Sequence, residues 1–229
     1  MVDYLLPLEG LMHDAKHNGW DFSLHGWILK IAMRDLICAF VLIVGWYCIL
    51  DYSRLTDMIK PLRFNLIIPP NSQAYREIPY CISTTLMGTF FEVICLKLYG
   101  DGTIPESRWF TDVFANRTNL LVFCAWVFLM PTWRDGHFYF IHRGMHPWNT
   151  TWFPDIGHYL FKYGHAEHHE SINFTAFSGI SMHPIEGFIY ETACFVPCFF
   201  YHHPILIWMV KLDLLYKAVL VHDGYSFPG

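Results

Sequence analysis

Apolar residues in this chain come in long runs instead of the one-sided stripes of soluble helices. Leu36 to Leu50 reads LICAFVLIVGWYCIL, and Ile78 to Tyr99 is a second run interrupted by Glu92. Leu120 to Trp133 is a third, short for a hydrocarbon core of about 30 Å. Its aromatic continuation through Phe138, Tyr139 and Phe140 predicts a helix that continues past the membrane surface. Phe188 to Val210 is apolar but contains Pro197 and Pro204, which predicts two half-helices or a re-entrant hairpin. Together the runs predict an all-α, polytopic membrane protein. Extending the first run back to Ile28 requires burying Arg34 and Asp35, so the pattern places that pair at the membrane interface. Glu92, inside the second run, needs a partner.

Composition agrees with this pattern. Hydrophobic residues make up 54% of the chain and charged ones 15%, against roughly 25% charged in ordinary soluble domains. The net charge of −5 and the lack of a basic tract argue against a nucleic-acid partner. Cys38, Cys48, Cys81, Cys95, Cys124, Cys194 and Cys198 form no CxxC pair and lie mostly in apolar segments, so they read as buried free thiols. Residues 1–25 lack the basic start and compact apolar core of a cleaved signal peptide. The loop after the first run carries Arg54, Lys60, Arg63 and Arg76 against Asp51, Asp57 and Glu77. Residues 100–119 carry only Arg108 and Arg117 against three acids. The positive-inside tendency then puts 54–76 in the cytosol and returns the chain there after the third run.

That return matters because eleven of the fourteen histidines lie after residue 136. His142 and His146 are four apart, and His165 is followed by His168 and His169, so each set shares a helix face. An isolated histidine is usually a core or surface residue, which is the simpler reading of His13, His17, His25 and His158. His202 and His203, beside Pro204, read as interfacial residues. HxxxH followed by HxxHH is a poor candidate for chance, and neutral imidazole is the commonest protein metal ligand. The first set is not the HExxH zinc-protease pattern, because Arg143 and Gly144 occupy its interior. By affinity alone, an all-imidazole site accepts zinc or copper more readily than iron. Adding His183 and His222 gives more candidates than one tetrahedral ion needs, which points to a dinuclear centre.

Asp135, Tyr139 and His142-Arg143-Gly144-Met145-His146, then His165-Ala166-Glu167-His168-His169, His183-Pro184-Ile185-Glu186-Gly187 and His222-Asp223-Gly224, occur in that order. This series resembles the fatty acid hydroxylase superfamily, and within it the sterol C5-desaturase-like branch. The resemblance covers about residues 110–229, a hydroxylase/desaturase-like domain, and leaves 1–109 as a membrane-embedding region. It implies an endoplasmic-reticulum membrane enzyme with a cytosol-facing helical cap and a dinuclear iron centre. Such an enzyme takes electrons from NAD(P)H, often through a cytochrome b5-type partner, to hydroxylate or desaturate a sterol or fatty-acyl lipid. The implied ligands are His142, His146, His165, His168, His169, His183 and His222. Asp135 matches an acidic position that orients a histidine, with Arg143 pairing to Asp135 or Glu186, while His137 is a candidate supporting residue. Two departures stand out. The second box reads HAEHHE where relatives carry basic residues, and the chain ends at Phe227-Pro228-Gly229 without the family's third box, HxxHH. The expectation is a C-terminally incomplete domain that binds metal incompletely and oxidises little lipid.

Three readings of function follow. The first is an oxygen-dependent lipid hydroxylase or desaturase, with Tyr139, Trp148, Trp152, Phe153, Tyr163, Phe174 and Phe177 available to line a lipid slot. The second is a non-catalytic membrane protein keeping the fold without the chemistry. The third, resting on Glu92 and the histidines, is a transporter or zinc-binding membrane protein.

Overall fold

The computed structural model describes residues 8–49, 58, 60–63, 69–222, 224 and 225. Leu50, Asp51, Arg54, Asp57, Asp223 and the Phe227-Pro228-Gly229 end, on which the missing third box is read, lie outside the described residues. The protein is all-helical, 73% helix with no strand among the described residues. The helices are α1 (Leu8–His17), α2 (Trp27–Tyr47), α3 (Asn71–Gly100), α4 (Arg117–Met145), α5 (Ile156–Leu160), α6 (Ala166–His169), α7 (Pro184–Glu191) and α8 (Ile205–Val221). A single π turn, Phe161–His165, joins α5 to α6.

Among the described residues, α3 is the one helix long and apolar enough to cross a membrane, with a mean hydropathy of 1.5 in its most apolar window. It contains the second apolar run. The third run is not a short element. It belongs to the 29-residue α4, about 44 Å long at 1.5 Å per residue, which carries the aromatic continuation on to His142. The fourth run breaks as its prolines require. Short 3₁₀ turns at Thr192–Phe195 and Pro197–Phe199 separate α7 from α8.

The chain divides into two compact units. The first comprises Met1–Arg34, Gly88–Tyr139 and Tyr190–Asp213. Its core gathers Trp27, Ile31, Phe91, Leu96, Ile207 and Val210. Within that apolar surround, Glu92 Oε2 accepts from Arg34 Nη2 at 2.6 Å and from Lys211 Nζ at 2.5 Å. The charge expected to need a partner therefore has two. Asp213 likewise accepts from Arg134 Nε at 2.7 Å. His202 and His203 are buried, not interfacial. The turn preceding α8 leaves carbonyls and N–H groups without helical partners, and the two rings satisfy several of them. His202 Nδ1 donates to the Phe200 carbonyl, His203 Nε2 donates to the Thr111 carbonyl, and His203 Nδ1 accepts from the Ile205 N–H.

The second unit comprises Asp35–Met87, Phe140–Ile189 and Leu214–Gly229. Ala39, Ile43, Cys81, Ala176, Ile180, Ala218 and Val219 form its core. An apolar cavity of about 410 Å³ lies along α2 and α3, lined by residues that include Leu36, Phe40, Ile43, Ile78, Cys81 and Phe177. All seven cysteines are free thiols. Cys81, Cys95, Cys194 and Cys198 are buried as expected, Cys38 is half-buried, and Cys48 and Cys124 are exposed.

Removing Glu92 would take away the carboxylate that Arg34 and Lys211 share in the apolar core. Glu92→Ala is expected to destabilise the protein by about 3–5 kcal/mol. Denaturation of purified protein in detergent reads this directly, and Glu92→Gln should fall between the two.

Candidate metal centre

The histidines that share a helix face in sequence also share a space in the fold. His142 sits in the last turn of α4, and His146 lies one residue past its end. Their Nε2 atoms are 3.2 Å apart. His165 closes the π turn and His169 ends α6 one turn later, with their Nε2 atoms 2.9 Å apart. A further 3.2 Å separation, between His165 Nε2 and His146 Nε2, joins the two pairs. Ligand atoms of His142, His146, His165 and His169 all lie within 4.8 Å of one another. One ion bound at about 2.0–2.1 Å by imidazole nitrogens spaces its ligands roughly 3 Å apart, which the three shortest of these separations match. The π turn is a local departure that often marks functional sites, and no residue signal in Phe161–His165 announces it.

The connection from His146 to His165 is held by one carboxylate. Asp155 caps α5, accepting from the His158 N–H at 2.9 Å, and also accepts from the N–H groups of Trp148 and Asn149. Asn149 adopts a left-handed φ of 55°, which this turn requires. Gly157 then lies so close to the His146 carbonyl and the Trp148 indole that a Cβ there would overlap both. The first turn of α5 therefore packs directly on the end of the first histidine pair.

The tautomers follow from the outer partners. His165 Nδ1 lies 2.8 Å from Glu186 Oε1, both side chains fully buried. Donating Nδ1–H to that carboxyl leaves the Nε2 lone pair facing the other three rings. Glu186 Oε2 is buried with no hydrogen-bond partner. Burial pushes the Glu186 carboxyl up to about 9, and a cation held by the rings would favour the carboxylate form that accepts from His165 Nδ1. Burial also lowers His142, His165 and His169 to about 4 and His168 to about 3, with neighbouring histidines adding to the effect for His142, His168 and His169. The rings are neutral at pH 7, the form that binds metal.

Two further histidines stand beside the four. His168 Nδ1 donates to the Ser181 carbonyl at 3.4 Å, and His222 Nδ1 to the Ala218 carbonyl at 2.9 Å. Both therefore keep a free Nε2 lone pair, and their ring centroids are 5.1 Å apart. His183 behaves differently, because its Nδ1 accepts from the Ile185 N–H at the start of α7. It touches no other histidine ring among the described residues. His137 meets Thr192 Oγ1 at 3.1 Å. Asp135 is paired with the adjacent Arg134, and Glu186 with His165. The exposed Arg143 is not the partner of Glu186 that the sequence suggests.

Residues 127–229 match the family model for fatty acid hydroxylase. The matched stretch holds all seven candidate histidines together with Asp155 and Glu186. A lipid hydroxylase- or desaturase-type oxidoreductase domain is what this match supports, and the family is membrane-associated and typically iron-dependent. No solved structure matches the chain.

Glu186→Ala should lower metal affinity about 10- to 100-fold, because His165 loses the group that fixes its tautomer and orientation. His165→Ala should lower bound metal at least as far, whereas His183→Ala should leave most of it. Metal analysis of the purified variants after equilibrium dialysis separates these outcomes.

Proposed function

We propose that this chain is a membrane-embedded lipid oxidoreductase of the fatty acid hydroxylase superfamily, in its sterol desaturase-like branch, acting in lipid biosynthesis. The observation that carries this reading is the ring of four neutral imidazoles with converging Nε2 atoms, backed by the Glu186 carboxyl. A donor set of imidazoles with a buried, unsatisfied carboxyl oxygen behind it fits a divalent cation, and the match to a typically iron-dependent family supports iron as that cation. His142, His146, His165 and His169 would hold one ion, and His168 with His222 would contribute to a second. Iron so held supplies the dioxygen-dependent oxidation of unactivated C–H bonds.

The chain's own residues do the rest. Glu186 keeps His165 in the Nδ1–H tautomer, the Ser181 and Ala218 carbonyls do the same for His168 and His222, and burial keeps protons off the rings. The apolar cavity along α2 and α3 offers hydrocarbon contacts apart from Thr85 and Cys81, whose hydroxyl and thiol donate to the Cys81 and Phe177 carbonyls. Such a wall suits a fatty-acyl or sterol body. Exposed apolar side chains such as Phe40, Val41, Leu121 and Phe128 suit a bilayer around the helices. In this reading residues 1–109 embed the chain in the endoplasmic reticulum membrane and 110–229 carry the chemistry. The histidines face the cytosol, where a cytochrome b5-type donor would deliver electrons from NAD(P)H.

The test is oxygen incorporation. Protein loaded with ferrous iron, as this chain or within a longer parent chain, should convert a fatty-acyl or sterol lipid when given a reductant and dioxygen. With isotopically labelled dioxygen, a hydroxylated product should carry the label. A chelator-stripped sample and the His165→Ala variant should lose at least nine-tenths of the turnover. Iron retained without any oxygen-dependent product would reject the enzyme reading in favour of a non-catalytic metalloprotein, and failure to retain iron would reject the metal centre.

A further inference from the structure

Glu77 lies in the second turn of α3, outside the 127–229 match and far in sequence from every histidine discussed above. It is fully buried, and its carboxylate accepts four side-chain hydrogen bonds. Gln73 Nε2, Ser171 Oγ and Ser178 Oγ donate to Oε1 at 2.9, 2.6 and 2.9 Å, and Thr175 Oγ1 donates to Oε2 at 2.6 Å. Three of these donors come from the single loop that follows His168 and His169. Gln73 Nε2 also donates to the Asn173 carbonyl of that loop at 2.7 Å.

The loop leads directly to the histidines. Ser178 opens the 3₁₀ turn Ser178–Ile180, and the next residue, Ser181, supplies the carbonyl that accepts from His168. Gly179, inside the turn, lies against the Ala218 carbonyl so closely that a Cβ would overlap it. That same carbonyl accepts from His222. One short turn therefore leads into the acceptor of His168 and packs against that of His222, and Ser178 at its start is bonded to Glu77. Apolar side chains could hold a loop down without a buried carboxylate. A carboxylate ringed by hydroxyls adds direction, since each bond has a preferred length and angle.

We propose that Glu77 is a positioning residue of the metal centre, setting the orientation of His168 and His222 through the 171–181 loop. The proposal rests on the reading of the histidines as metal ligands. Its effect should resemble that of other outer partners of ligating histidines, whose loss typically costs 10- to 100-fold in affinity.

The experiment titrates Co²⁺ into the purified protein and follows its visible absorption, which reports ligand number and geometry. Glu77→Gln keeps the side-chain shape, and the loop hydroxyls can rotate to meet the amide, so helicity and melting temperature should stay close to the parent. Expected are a Co²⁺ affinity lowered about 10-fold or more and an altered spectrum. Thr175→Val and Ser178→Ala, each removing one donor, should shift both readouts in the same direction by less. If Glu77→Gln fails to fold, the two loop variants decide. Variants that melt earlier but bind Co²⁺ with the parental affinity and spectrum would show a purely structural role and overturn the proposal alone. A parent that binds no Co²⁺, indistinguishable from His165→Ala, would overturn both this proposal and the metal centre.

Discussion

Four imidazole nitrogens lie within 4.8 Å of one another, linked by three separations of about 3 Å, and the rest of the second unit is arranged to keep them there. Neutral rings in that geometry turn lone pairs toward a common point, which is unfavourable unless the opposite edge of each ring is fixed or a cation is present. The fold fixes such an edge on one of the four and on the two rings beside them. Glu186 holds His165, and the carbonyls of Ser181 and Ala218 hold His168 and His222. These acceptors come from α7, a 3₁₀ turn and α8, so the centre needs every one of those segments in register.

The same theme recurs away from the histidines. A chain this apolar carries buried acids and bases that would each be costly alone, and the structure pairs or hydrogen-bonds them. Glu92 takes Arg34 and Lys211, Asp213 takes Arg134, and Glu77 takes an amide and three hydroxyls. The ion pairs lie in the first unit and the hydroxyl-ringed carboxylate in the second. The difference fits their tasks. An ion pair neutralises charge in an apolar core, whereas a carboxylate with several neutral donors holds a loop in one conformation.

His168 and His169 show how far neighbouring residues can diverge. They are adjacent in the second histidine box, yet His169 joins the four-ring group and His168 turns to Ser181 and His222. Adjacent helical positions point about 100° apart, so a doublet can serve two neighbouring loci. His183 occupies a motif position but caps α7 instead. A motif match places a histidine near a centre without deciding which atom its ring nitrogen meets.

The sequence by itself determined the helical class, the extension of α4 to His142, the proline break before α8 and a set of seven candidate histidines that includes the four converging ones. Each of these follows from local periodicity, from proline geometry or from i,i+4 spacing, which a helix converts directly into a shared face. It also marked Glu92 as needing a partner, since a charge in an apolar run cannot stand alone. Only the tertiary structure decided who the partners are. Arg34 and Lys211 reach Glu92 from helices 58 and 119 residues away in sequence, and Glu77 meets Thr175 and Ser178 at separations of 98 and 101. The burial of His202 and His203, the π turn at Phe161–His165 and the pairing of Glu186 with His165 instead of Arg143 were equally beyond local pattern. Hydrogen bonds between distant segments leave no periodic trace, because their geometry is set by packing and not by spacing along the chain.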